Sequence, residues 1–248
     1  MRIDILSCVP QLLESPFSHS ILLRAIEKRL LQLHLHNIRD YSLDKHKKVD
    51  DYAYGGGAGM VLSVEPIARC ITHLQAHTTY DELIYMAPDG EPLTQQLANY
   101  LSMKDNILIL CGHYKGVDER VRQRWMTRAI SIGDYVLSGG ELAAAVLVDA
   151  LVRLIPGVLS DAMSALTDSF QEGLVAPPVY TRPAVYEGMH VPDILLSGNK
   201  AAIATWEQEA ALCATRDRRP ALYAAWQQKH GGKEHELGSN NPQKKECL

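Results

Sequence analysis

Three short stretches gather glycine directly behind apolar segments. "ELIYMA" runs into Pro88-Asp89-Gly90, "NILILC" into Gly112-His113-Tyr114-Lys115-Gly116, and "RAISIG" into the residues from Asp134 to Gly140. Glycine tolerates positive φ and lets backbone approach a ligand closely. Three such turns at the carboxyl edge of one sheet would together wrap an adenosine-sized molecule, largely through main-chain hydrogen bonds. The plainer alternative is that the glycines simply end strands. No Gly-x-Gly-x-x-Gly follows "RIDILSCV" and no Gly-Lys-Ser/Thr occurs, which argues against dinucleotide and P-loop chemistry.

Other residue types with chemical potential are less pointed. Basic islands occur at 45–48 ("KHKK"), 120–128 ("RVRQRWMTR") and 216–219 ("RDRR"), in a chain of net charge −4. They suit solvated faces as well as an RNA surface. The five cysteines, Cys8, Cys70, Cys111, Cys213 and Cys247, are scattered without a Cys-x-x-Cys, so reduced thiols are expected, not a disulfide frame or a zinc site. Among ten histidines there is no His-Glu-x-x-His; His34 and His36 alternate as on one face of a strand and read as structural.

The elements that would position these turns follow an α/β rhythm. The 248 residues, 46% hydrophobic and 22% charged, suit a soluble globular protein of one or two domains. No apolar run reaches the roughly 18 residues of a membrane span and no signal peptide is visible, so a cytoplasmic location is expected. Strands are predicted at "RIDILSCV", "LHLHNI", "ELIYMA", "NILILC" and "RAISIG". Helices are predicted at "SHSILLRAIEKRLLQL", "VEPIARCITHLQ", "PLTQQLANYLSM", "VDERVRQRW" and "GELAAAVLVDALVRLI", the last stopped by Pro156-Gly157. This order predicts a parallel sheet covered by helices. A long polar loop, "DKHKKVDDYAYGGGAGMVL", interrupts it. After residue 156 the chain is irregular and proline-bearing before helical patterning resumes in "AAIATWEQEAALCATR" and "PALYAAWQQ". Expected boundaries are a sheet domain at 1–160, a linker at 161–172, a helical domain at 173–230 and a disordered tail at 231–248.

Taken together, "YGGGAGM", "CGHYKGVDER", "SIGDYVLSGGE", "DSF" and "YTRP" resemble the bacterial tRNA (guanine-N1-)-methyltransferases, in order and spacing, from Met1 to about residue 230. The resemblance implies a SPOUT fold with a trefoil knot, S-adenosylmethionine as methyl donor, homodimers, and guanine 37 beside the tRNA anticodon as acceptor, preceded by guanine 36. It places the cofactor at Tyr85, Met86, Ala87, Pro88, Gly112, Gly116, Ile132, Gly133, Tyr135, Leu137, Gly139 and Gly140, with Asp134 and Val136 in the same third turn. It makes Asp168 the general base and Arg153 its assistant at the guanine. Read without the resemblance, Ser169 to Glu172 fits a helix capping box, and Arg153 suits an ordinary helix C-terminus. The RNA contacts implied are Lys45, His46, Lys47, Gly57, Gly59, Arg182, Arg216, Arg218 and Arg219. Lys115 and Ala176 stand where many members carry acids tied to magnesium; Lys115 is expected to supply part of the missing positive charge, and the metal requirement is left open. The alternatives are a SPOUT methyltransferase for another RNA position and a non-catalytic RNA-binding factor.

Overall fold

A computed structural model describes residues 1–160 and 168–230; the expected tail and most of the expected linker lie outside the described residues. The chain divides into two compact units, Met1–Ala165 and Leu166–Leu248.

The first unit is α/β. Five parallel strands, β1 (Arg2–Ser7), β2 (Gln32–Asn37), β5 (Glu82–Pro92), β6 (Asn106–Cys111) and β7 (Arg128–Ser131), lie in the order β2-β1-β6-β5-β7. Side chains alternate across a strand, and β6 shows why its run is apolar throughout. Ile107, Ile109 and Cys111 enter one core, while Leu108 and Leu110 enter the other. Helices α2 (Ser20–Glu27), α4 (Gln95–Ser102) and α6 (Glu141–Val152) pack on the first face. α3 (Val64–Gln75) and α5 (Glu119–Trp125) pack on the second. Each fully buried Ile or Leu contributes about 1.5–3 kcal/mol, so the sheet is the mechanical base of the unit.

A charge interrupts the apolar pattern of β1. Asp4, in the middle of β1, is fully buried and accepts hydrogen bonds from Arg2 Nε at 2.6 Å and His36 Nε2 at 2.7 Å. Burial alone would raise its pKa, but the bonds from His36 and Arg2 outweigh that and hold the carboxyl well below its usual range. His36 thus has the structural role expected of it.

Local departures from the sequence reading have local causes. The first helical segment was expected to reach residue 33, yet α2 stops at Glu27; the Leu30 and Leu31 amides both donate to Ala25 O, and β2 begins at Gln32. α1 (Glu14–Phe17) is a short extra turn. The long polar loop contains an antiparallel pair, β3 (Asp50–Tyr52) and β4 (Met60–Leu62), too short to leave a period-2 signal.

In the second unit α7 (Asp193–Leu196), α8 (Lys200–Arg218) and α9 (Pro220–His230) follow a small hairpin, β8 (Val185–Tyr186) with β9 (Met189–His190). Cys213 is disulfide-bonded, contrary to the expectation of reduced thiols; Cys8, Cys70 and Cys111 are free and buried. Among the described residues no helix is long and apolar enough to cross a membrane.

Candidate functional site

The three glycine-bearing stretches converge on one cavity of about 810 Å³, within the usual range for a small-molecule site. The first wall is β5. Tyr85, Met86 and Ala87 are buried and line the cavity, followed by Pro88 and Asp89. A turn was expected at Pro88-Asp89-Gly90, but β5 continues to Pro92 with a register shift between Met86 and Glu91 against β7. Gly90 is the reason: a Cβ there would stand 2.5 Å from the Ala129 carbonyl carbon and the Ile130 amide nitrogen, so only glycine lets the strand bend this close to β7.

The second wall is the turn after β6. Tyr114 (φ 58°) and Gly116 (φ 119°) both adopt left-handed backbone there. The turn is pinned by β4, since Lys115 N donates to Met60 O and Leu62 N donates to Gly116 O, each at 3.0 Å. A Cβ on Gly112 would meet the Tyr85 hydroxyl at 2.9 Å, which ties the first two walls sterically.

The third wall follows β7, where Ile132, Gly133, Tyr135, Val136, Leu137, Gly139 and Gly140 face the cavity. Asp134, expected with the rest of this stretch, is exposed and is not among the residues that line the cavity. Gly140 is the keystone. Its amide donates to Gly112 O at 2.7 Å, and a Cβ on it would lie 2.9 Å from Gly112 N, 3.0 Å from Cys111 Cα and 3.2 Å from Met86 Cβ. All three walls therefore close on one missing methyl group.

The cavity also holds a residue that spacing did not reveal, beside one that it did. Arg122, from a basic island read only for its charge, donates to Asp89 Oδ2 at 2.9 Å, and its guanidinium lies 5.3 Å from the Tyr85 ring centroid. Lys115 lines the wall with its stem packed over Gly59. These pairings cross from element to element, so no local motif carries them.

Arg153 caps the C-terminus of α6 in the first unit and is half-buried. Asp168 opens the described part of the second unit, half-buried with its Oδ2 shielded from solvent. The capping-box alternative for Ser169 to Glu172 is overturned, because no helix begins there. Phe170 (φ 75°) and Gly173 (φ 80°) are left-handed, and Phe170 N donates to Leu174 O at 2.7 Å. Ser169 Oγ instead accepts from Ala176 N at 2.9 Å, and Val175 N donates to Thr215 Oγ1 at 2.9 Å, tying this turn to α8.

The basic residues are exposed. Lys45, His46 and Lys47 sit on a tight loop whose Asp44 Oδ1 accepts from His46 N at 2.8 Å, and Lys47 Nζ reaches Asp40 at 2.7 Å. Gly57 and Gly59 are exposed with positive φ, in the same loop as the exposed Tyr52 and Tyr54. In the second unit Arg182, Arg216, Arg218 and Arg219 are exposed; Arg216 bonds Asp217, and the Arg219 guanidinium lies 5.7 Å from the Phe170 ring centroid.

Comparison with known proteins gives these features a family. The profile of tRNA (Guanine-1)-methyltransferase TrmD matches residues 1–225. A tRNA (guanine-N(1)-)-methyltransferase of Cytophaga hutchinsonii is 66% identical over 223 residues, covering 90% of this chain and 95% of its own. Proteins of the same name are 61% identical in Flavobacterium johnsoniae and 57% identical in Bacteroides fragilis, over 90% of this chain and 98% and 99% of theirs. The chain belongs to the tRNA (guanine-1)-methyltransferase family.

Proposed function

We propose that this chain transfers a methyl group from S-adenosylmethionine to N1 of guanine 37 in tRNAs that carry guanine at position 36. The observation that carries the reading is the convergence of three backbone-rich walls on Gly140, in a chain more than half identical to relatives bearing that name. The cavity suits the methyl donor. Ala87, Ile132 and Leu137 offer apolar surface for an adenine, while the glycines leave amides and carbonyls open to its polar edges. Tyr85 to Pro88, Gly112, Gly116 and the third turn would hold it. When bound, it supplies an electrophilic methyl on a sulfonium.

The chain's own work is on the acceptor. N1 of guanine carries a proton at neutral pH, and removing it spreads negative charge onto O6. Asp168 takes that proton, and Arg153 steadies the charge at O6. Position 37 lies in a single-stranded loop, where a base is readily splayed out. Lys45, His46 and Lys47, with Tyr52 and Tyr54 exposed nearby, suit such a loop, because aromatic faces stack unpaired bases while cations meet phosphate. Arg182, Arg216, Arg218 and Arg219 extend phosphate contact onto the second unit.

Three further features belong to this reading: a trefoil knot formed by the three turns, a cytoplasmic homodimer, and a division of labour between a cofactor-binding and a tRNA-binding domain. Dimerisation is supported by Leu142 and Val146, which leave an apolar strip of α6 about half exposed. Lys115 supplies positive charge at the cavity wall without a metal, so methyl transfer is expected to survive chelator; collapse of activity on chelation overturns that role.

The test of the function is radiolabelled methyl transfer to a tRNA transcript with guanines at 36 and 37. Label must fall to background when either guanine is replaced. Label on another nucleotide indicates a different RNA target, and no label at all indicates a binding factor.

A further inference from the structure

A polar cluster behind the third turn has no part in the proposed methyl transfer. Cys8 follows β1, His113 lies in the turn after β6, and Glu141 opens α6; one ligand atom from each lies within 4.8 Å of the other two. Glu141 is 1% exposed and Cys8 4% exposed. The carboxylate is held in a fixed orientation, since Glu141 Oε1 accepts from Ser7 Oγ at 2.6 Å, and Ser7 Oγ accepts from Val9 N at 2.8 Å. That leaves Glu141 Oε2 buried without a hydrogen-bond partner, 3.9 Å from His113 Nδ1, which is also buried without one.

Two facing polar atoms at that distance are too far apart for a hydrogen bond, and burial makes it costly to leave both unsatisfied. Gly139 keeps the space between them open. A Cβ there would stand 2.6 Å from His113 Nδ1 and would strike Glu141 Oε2. An added ion resolves the arrangement better than an added proton does, because it satisfies both atoms and the nearby sulfur together.

We propose that Cys8, His113 and Glu141 form a binding site for a divalent cation of the zinc type, with one coordination position left open. Zinc–ligand bonds of about 2.0–2.3 Å place tetrahedral ligand atoms some 3.3–3.7 Å apart. The observed atoms lie within 4.8 Å of one another, so binding requires the ligands to draw together by about 1 Å. Thiolate and imidazole favour zinc or cobalt over magnesium, which prefers oxygen ligands and retained water. On binding, the Cys8 thiol releases its proton to solvent as the sulfur–metal bond forms. The site is independent of the methyl-transfer reading, although His113 and Gly139 also line the cavity.

The test titrates the metal-free full-length protein with Co²⁺ in excess Mg²⁺. The expected result is one Co²⁺ per chain with a thiolate-to-cobalt charge-transfer band that Zn²⁺ abolishes, and affinity at least tenfold weaker in Cys8→Ser and in His113→Gln. Absence of the band overturns the proposal. So does a band that both variants retain at wild-type affinity, since the thiolate then comes from another cysteine. Each variant is checked by circular dichroism, and His113, only partly buried, supplies the decision if the Cys8 variant does not fold.

Discussion

The first unit makes its candidate site by burial, and the second makes its own by hydrogen bonds and exposed charge. Around the cavity, Met86, Ala87, Cys111 and Gly140 are buried, and the sheet beneath them is packed on both faces. In the second unit Ala211 and Thr215 are the buried residues among those described, and the turn at Asp168 is held by bonds that the Ala176 and Val175 amides donate to the hydroxyls of Ser169 and Thr215. The difference matches two recognition problems. Under the proposed function, a small ligand needs walls placed to within fractions of an ångström, whereas an RNA loop is met by cations and rings that adjust to it. Damage should therefore read out differently in the two regions.

The largest effect is expected from Asp168→Ala. Turnover on the tRNA transcript should fall by about 10²–10⁴, with adenosylmethionine affinity and melting temperature unchanged. Wild-type turnover would remove Asp168 from the chemistry and break the contrast at its centre. Next comes Asp4→Asn in the first unit, which should cost about 3–5 kcal/mol in denaturant unfolding at pH 7, because Arg2 and His36 lose their buried partner. The folded-state pKa of Asp4 is depressed, so its contribution is present above the ordinary carboxyl value of about 3.9 and is lost as pH falls below it. The gap between wild type and variant should accordingly shrink in unfolding curves taken at pH 3, and a gap that widens contradicts the assignment.

A smaller but sharper test is Gly140→Ala. Crowding Gly112 N and Cys111 Cα should cost about 1–3 kcal/mol, read as roughly tenfold to hundredfold weaker adenosylmethionine binding by calorimetry. Unchanged affinity would mean that the walls do not need to meet at Gly140. The smallest effect belongs to Arg218→Ala, expected to weaken tRNA binding a few-fold and lower its salt slope by about 0.7, with cofactor binding intact. A change in cofactor affinity instead would undo the separation of the two regions.

What the sequence disclosed follows the same division. β6 and α3 stand where their periodicity put them, because a doubly covered strand and an amphipathic helix write their burial into neighbouring residues. The three cavity walls were legible because glycine is conspicuous, although Asp134 within one of them is exposed and does not line the cavity. Illegible were β3 and β4, each three residues long, and every pairing that joins distant segments. Arg122 with Asp89, and Glu141 with Ser7 and His113, come together only once the sheet has set its strand order. Asp168 was ambiguous for a different reason: "DSFQE" permits a helix start, and left-handed backbone at Phe170 and Gly173 decides against one.

Helix α6 connects several of these features along its own axis. Glu141 opens it directly after Gly140, and Arg153 caps its far end. Its 12 residues make a rod of about 18 Å. The angular phase between the pocket floor and the arginine is therefore set by residue count alone. Inserting one alanine at exposed Val146 would turn Arg153 by about 100° and advance it by about 1.5 Å, at the cost of turning Leu147, Val148, Leu151 and Val152 out of the core with it. α6 thus works as a gauge block, whose length matters as much as the side chains it carries.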